Sequence, residues 1–183
     1  MTLSTISDGY RRQQQELHRN PDYGVASLGF APMVYDIIVA RKIRSISDYG
    51  AGKCNLLKAL REQPAVELEY FPYDPAFPEY GPPRPADLVC CIDVLEHIEP
   101  DFLPTVLSEL RGITVNCGFF SIHSEPAIKQ LPDGRNAHLI QQPTSWWLPK
   151  LCDHFEIRNL ETVAGGFWVF CEPRRTSGSC LPA

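Results

Sequence analysis

No run of apolar residues in this 183-residue chain approaches membrane length, and the polar stretch from Met1 to Gln15 carries no apolar signal core. Neither a membrane partner nor a secretory leader is expected. Basic excess is missing as well: a net charge of −5 and a pI near 5.5 argue against a broad nucleic-acid footprint. The clusters Arg11-Arg12, Arg41-Lys42-Arg44 and Arg174-Arg175 are short and read as solvated surface patches. Seven cysteines, at 54, 90, 91, 117, 152, 171 and 180, include no CxxC pair, which leaves neither a zinc spacing nor a disulfide framework. Most of them sit in apolar runs, where thiols behave as small hydrophobes, so a reducing, cytoplasmic location is expected. Cys180-Leu181-Pro182-Ala183 has the outline of a prenylation box. Proline beside the last residue and the lack of a polybasic run point instead to a flexible tail over 174–183. There is no internal repeat.

What is present suits one domain with a proper core. Hydrophobic residues make up 44% and charged residues 21%, ordinary for a globular chain of this length. Its most informative stretch runs from Ser45 to Leu60: a short strand, a turn with glycines at 50 and 52, then a helix bearing Leu56, Leu57 and Leu60. Glycines there allow a tight turn and close approach to the main chain, and the helix start offers unpaired N–H groups. A carboxylate or phosphate cradle is one reading; a ligand-free structural turn is another. A phosphate-gripping P-loop would need glycine at 47 and Ser or Thr at 54, where the chain has Ser47 and Cys54. A dinucleotide fingerprint would need glycine at 55, where Asn55 stands.

Along the chain, Asp8 to about His18 predicts a polar helix, Asn20-Pro21-Asp22-Tyr23-Gly24 a turn, and Pro32–Arg41 a helix burying Val34, Ile37 and Ile38. Val66–Tyr73 reads as a second strand. The following segment has prolines at 75, 78, 82, 83 and 85, so it is a loop. Leu88–Ile92 is a continuous apolar run, as expected of a central parallel strand. Helices are predicted at Phe102–Leu110 and Trp146 to about His154, and strands at Gly118–His123, Phe155–Leu160 and Phe167–Cys171. The alternation indicates an α/β, Rossmann-like, open and mostly parallel sheet with helices on both faces and an antiparallel final strand.

Two motifs in order carry a resemblance. Asp48-x-Gly50-x-Gly52 and, one βα unit later, Asp93-Val94-Leu95-Glu96-His97 resemble the signatures of class I S-adenosylmethionine-dependent methyltransferases, with Asp74 ending a strand between them. The likeness spans residues 45–171. It implies a catalytic domain over 43–173, covered by N-terminal helices in 1–42. It also implies that Asp48, Tyr49 and the backbone from Gly50 to Gly52 hold the methionine end of S-adenosylmethionine. Asp74 would accept the two ribose hydroxyls, and Asp93 and Val94 would lie along the methionine and sulfonium. Two departures stand out. Cys54 replaces a usual third glycine, and the proline-rich 75–86 segment is too short for the helix and strand that normally precede residue 88. A shortened sheet of about six strands follows, with Phe77 or Tyr80 covering the adenine.

Methyl transfer needs an aligned acceptor, exclusion of water and sometimes a base. Candidates are His97, His123 and His138, with Glu96 beside His97. If 93–97 is helical, Asp93, Glu96 and His97 share one face. With His138 they resemble the metal set of small-RNA 2′-O-methyltransferases and some ubiquinone-pathway O-methyltransferases, so a divalent metal on Asp93, Glu96, His97 and His138 is an open alternative to packing roles. His123 also reads as a strand-end cap. Tyr10, Tyr23, Phe30, Trp146 and Trp147 are candidate walls for the acceptor, with at least one tryptophan burying its helix instead. The expected activity is methyl transfer to oxygen or nitrogen of a small-molecule acceptor. The alternatives are a non-catalytic cofactor-binding module and a metal-dependent RNA 2′-O-methyltransferase, the latter disfavoured by the acidic charge.

Overall fold

The structure is a computed structural model that describes residues 4–174, so the tail and its terminal cysteine box lie outside the described residues. Helices α1 (Asp8–Leu17), α2 (Ala26–Arg41), α3 (Asn55–Arg61), α4 (Leu103–Ile113) and α5 (Thr144–Cys152) alternate with strands β1 (Ser45–Tyr49), β2 (Glu69–Tyr73), β3 (Ala86–Ile92), β4 (Thr114–His123), β5 (Phe155–Val163) and β6 (Gly166–Pro173). The strands form one six-stranded sheet in the order β2-β1-β3-β4-β6-β5. Pairs β1–β2, β1–β3 and β3–β4 are parallel, while β6 runs antiparallel to β4 and β5. The antiparallel final strand expected from the sequence is β6, and the strand expected to be missing before residue 88 is indeed missing. After β2 the proline-rich segment forms only a three-residue 3-10 turn, Pro78–Tyr80, before β3 enters the middle of the sheet.

Two cores bracket the sheet. On one face Leu103, Val106, Leu107 and Leu110 of α4 and Trp147 and Leu151 of α5 pack on Val89, Cys91, Phe120 and Val169. On the other, Ala31, Val34 and Ile38 of α2 and Leu56 and Leu60 of α3 pack on Ile46, Leu88, Cys90 and Phe119. Strand β3 is buried on both faces, as its unbroken apolar run requires. A third cluster, Ile6, Tyr10, Leu131 and Ala137, docks α1 against the loop after β4. No helix among the described residues is long and apolar enough to cross a membrane.

Several boundaries differ from the sequence expectation. Strand β2 starts at Glu69 because β1, its one partner among the described residues, starts at Ser45 opposite it; Val66 has no described strand to pair with and is exposed. Helix α2 begins at Ala26, well before Pro32, which sits inside it. Ala31 and Phe30 in that first stretch pack into the core, so burial offsets the lost hydrogen bond. Strand β4 reaches back to Thr114 to pair with Ala86, and α5 spans Thr144–Cys152 rather than starting at Trp146.

Candidate active site

The carboxyl ends of β1, β2, β3 and β4 meet at a cavity of about 440 Å³, roofed by α1 and the turn after it. In an open parallel sheet this edge, where strand order reverses between β1 and β3, is where ligands sit. Gly50, Gly52 and Asp74 line it from the ends of β1 and β2, Ile92, Asp93, Val94 and His97 from the end of β3, and His123 and His138 from the end of β4 and the loop after it.

Four N–H groups of the glycine turn are taken by the chain itself. Gly50 N–H and Ala51 N–H both donate to the Tyr73 carbonyl, at 2.7 and 2.9 Å, and Cys54 N–H donates to Ala51 O at 2.8 Å. Gly52 N–H donates to Asp74 Oδ2 at 2.9 Å, so the anion that the turn holds is the chain's own Asp74. Helix α3, which follows the turn, has seven residues and no side-chain cap. The glycines serve close approach instead. Gly50 has φ +84, and a Cβ there would stand 2.3 Å from Val94 Cγ2; Gly52 has φ +50, and a Cβ there would stand 2.9 Å from His18 Cε1. Cys54, where the resembling family carries a third glycine, has φ +55, the region glycine favours.

Asp48 and Tyr49 do not line the cavity. The buried Asp48 carboxyl accepts a hydrogen bond from the Tyr70 hydroxyl on the α2–α3 side, and burial raises its pKa to about 7. Tyr49 lies on the opposite face and donates to Glu109 on α4 at 2.7 Å. Strand alternation sends their side chains to the two faces, not to the strand end.

Asp74 is buried at the end of β2, and burial lifts its pKa to about 6, against N–H groups of Ala76 and Gly52 that pull it down. Asp93 adopts φ +52, a left-handed conformation uncommon for a residue with a side chain and typical of sites held by their surroundings. Its Oδ1 accepts from Ser121 Oγ at 2.7 Å. After it the chain makes a 3-10 turn, Leu95–His97, not an α-helix, so Asp93, Glu96 and His97 do not share a helical face.

Glu96 is fully buried; Oε1 accepts His123 N–H at 2.8 Å, and Oε2 has no partner among the described residues. Burial, with Asp93 nearby, drives its pKa well up, which favours the neutral acid. His97 Nδ1 faces Ala137 O at 2.8 Å and His138 Nδ1 faces Glu125 O at 2.6 Å; a carbonyl partner assigns N–H to each Nδ1 and leaves each Nε2 with a lone pair. Burial lowers both pKa values, that of His97 to about 4, so both rings are neutral near pH 7. One ligand atom each from Glu96, His97 and His138 lies within 4.8 Å of the others. Asp93, expected in that set, is outside it.

Of the expected walls, Tyr10 and Tyr23 line the cavity. Their hydroxyls are tied to Gln14, at 2.6 and 3.0 Å, and Tyr10 also donates to His97 O at 2.7 Å, so they present ring faces. Phe30, Trp146 and Trp147 pack in the two cores instead. Phe77 and Tyr80 stack on each other beside the glycine turn, with Tyr80 donating to Gly52 O at 2.9 Å; Pro75 is the lining residue of that loop. His18, not anticipated from the sequence, also lines the cavity, next to Gly52 and Asp74.

No protein-family model matches the chain, and no curated protein matches it. Solved structures do. With a TM-score of 0.62 and 16% identity, the chain is similar to 1,6-didemethyltoxoflavin-N1-methyltransferase of Burkholderia thailandensis, solved with 1,6-didemethyltoxoflavin and S-adenosylhomocysteine; the match covers 97% of this chain and 93% of that one. The fold is that of the class I methyltransferases. Magnesium protoporphyrin IX methyltransferase of Synechocystis PCC 6803, with bound SAH, matches at a TM-score of 0.52 and 14% identity over 92% of this chain and 95% of that one. An O-methyltransferase family protein from Burkholderia thailandensis matches at 0.57 and 14% identity over 94% of this chain, which spans 60% of that longer protein. Strand β2 is at the edge of the sheet, so Asp74 stands at the end of an outermost strand.

Proposed function

We propose that this protein transfers a methyl group from S-adenosylmethionine to an oxygen or nitrogen of a small-molecule acceptor. The observation that carries the reading is one cavity lined by the buried Asp74, by Asp93 and by the imidazoles of His97 and His138. Asp74 has the paired acceptor oxygens that suit two vicinal hydroxyls, and the residues therefore fit the adenosyl group. When bound, S-adenosylmethionine supplies an electrophilic methyl on a sulfonium. Asp93, held by Ser121, lines the same cavity and offers its carboxyl oxygens to the cationic part of the cofactor. Tyr10 and Tyr23 line the same cavity with their hydroxyls bonded to Gln14, which leaves their rings to pack on a ligand. His138 Nε2, its other nitrogen fixed on Glu125 O, is the base for the acceptor proton, and His97 Nε2 orients the same group. The low pKa of His97 keeps it unprotonated and able to accept.

Titration calorimetry of S-adenosylmethionine and S-adenosylhomocysteine against the wild type and Asp74→Ala tests the reading. Both ligands should bind the wild type and lose at least about tenfold in Asp74→Ala, as expected for hydrogen bonds to a charged group. No binding of either ligand by the wild type would refute it. Binding without turnover over a broad acceptor panel would favour the cofactor-binding module.

A second reading has its own observation. Glu96, with an unpartnered buried oxygen, and the two imidazoles of His97 and His138 form a donor set that suits a divalent transition metal. A bound cation there would hold the acceptor oxygen and favour its ionised form. Manganese should then raise the melting temperature of the wild type and not of His138→Ala; equal responses would exclude the site.

A further inference from the structure

One imidazole reaches the cavity from outside the sheet. His18 follows the last turn of α1, and its ring lies between two glycines with positive φ, Gly24 and Gly52. A Cβ on Gly24 would come 3.5 Å from His18 Cε1, and one on Gly52 would come 2.9 Å from it. Tyr23 and Phe77 meet the ring edge-on, with centroids at 4.9 and 5.0 Å. The ring is therefore held in a slot between the two turns, and it is Gly52 whose Cβ would overlap it.

Its polar atoms are unused. The side chain is only 11% exposed, Nδ1 has no hydrogen-bond partner among the described residues, and Nε2 stands 3.9 Å from Asp74 Oδ2. That distance is too long for a hydrogen bond. Burial first, and Lys53 second, lower the ring's pKa to about 4, so the pair is not an ion pair near neutral pH. Nε2 faces Asp74 without reaching it, and the gap between them is the right size for one bridging atom. Asp74 Oδ2 accepts one N–H from Gly52 and Oδ1 one from Ala76, which leaves each oxygen further acceptor capacity. An oxygen at roughly 2.8 Å from both Nε2 and Oδ2 closes a triangle on the 3.9 Å edge, with about a right angle at that oxygen. A hydroxyl meets both demands, donating to the carboxylate and accepting from the imidazole. A ligand carboxylate would meet Asp74 as a like charge.

We propose that His18 is a binding residue for the ribose of the adenosyl cofactor, its Nε2–H donating to a ribose hydroxyl that itself donates to Asp74 Oδ2. This rests on the cofactor reading of the cavity given above. It makes the end of α1 part of the cofactor site, so the N-terminal segment contributes to donor binding as well as to the acceptor roof.

The test is a cycle between protein and ligand. S-adenosylhomocysteine and its 2′-deoxy and 3′-deoxy analogues are titrated against the wild type and His18→Phe, which keeps a ring in the slot but has no N–H. His18→Phe should bind S-adenosylhomocysteine about 3- to 10-fold more weakly, the worth of one neutral hydrogen bond. With one of the two deoxy analogues that difference should vanish, because the hydroxyl that His18 holds is gone. Equal weakening for all three ligands, or none, would overturn the proposal while leaving the cofactor reading intact. Failure of the wild type to bind S-adenosylhomocysteine would overturn both. A measurement free of the variant's folding is the His18 Nε2 resonance of ¹⁵N-histidine-labelled wild type. It should shift with S-adenosylhomocysteine and lose that shift with the same deoxy analogue; a shift unchanged across all three ligands would contradict the assignment.

Discussion

Gly50→Ala gives the sharpest measure of what the glycine turn does. Two costs are separable from the geometry. At φ +84 an L side chain is strained whatever the space around it, worth about 1–2 kcal/mol. The added Cβ would also stand 2.3 Å from Val94 Cγ2 and 3.0 Å from Val94 Cγ1, an overlap costing about 1–3 kcal/mol in a packed site. Together they predict a loss of about 2–5 kcal/mol, a large share of the stability of a domain this size. Val94→Ala removes both overlapping methyls. In that background Gly50→Ala should cost only about 1–2 kcal/mol, the backbone part. Urea unfolding of the four proteins, followed by circular dichroism and tryptophan fluorescence, gives the coupling directly. A coupling below about 0.5 kcal/mol would refute the claim that Gly50 is glycine so that Val94 can lie against it. The free energy would then belong to the backbone alone, and the approach of the Asp93–Val94 segment to the turn would be incidental.

Asp48 carries a pH signature. Its folded pKa, about 7, lies above its ordinary value of 3.8, so its contribution is full below pH 3.8 and is lost as pH rises to 7, by about 4 kcal/mol at 1.36 kcal/mol per unit. The stabilising effect of Asp48→Asn should therefore grow from pH 4 to pH 8 in chemical denaturation; a constant effect would contradict the burial argument. Trp147 is fully buried with an unpartnered Nε1, so Trp147→Ala should cost about 3–5 kcal/mol in the same assay and Trp147→Phe, which removes the orphan N–H, clearly less. Gln14 ties the Tyr10 and Tyr23 hydroxyls, and Gln14→Leu should loosen α1 by about 1–3 kcal/mol, seen as faster amide exchange confined to α1 and the turn after it.

What the sequence disclosed follows from which interactions are local. The sheet was legible because β3 carries an unbroken apolar run and the helices carry apolar faces, and five prolines between β2 and β3 forbid the usual intervening helix. Strand ends were legible as acids, so Asp74 and Asp93 stand on the cavity. Asp48 and Tyr49 stand off the cavity because alternation along β1 sends their side chains to opposite faces. Glu96 and His97 were legible as polar residues past a strand end; their burial, and hence the neutral forms that burial imposes, depends on the loop after β4 folding back over them.

His18 had no local signal at all. It becomes a site residue only because α1 lays its end between Gly24 and Gly52, and those glycines are far apart in the chain. The same fact changes the meaning of the motif itself. An open glycine turn is usually read as room for a ligand, yet here Gly50 admits Val94 and Gly52 admits His18, while the turn's N–H groups go to Tyr73 and Asp74. Room at the main chain has been filled by the chain's own side chains. They pack the segment after β3 and the end of α1 onto one turn, and that turn holds Asp74 through the Gly52 N–H.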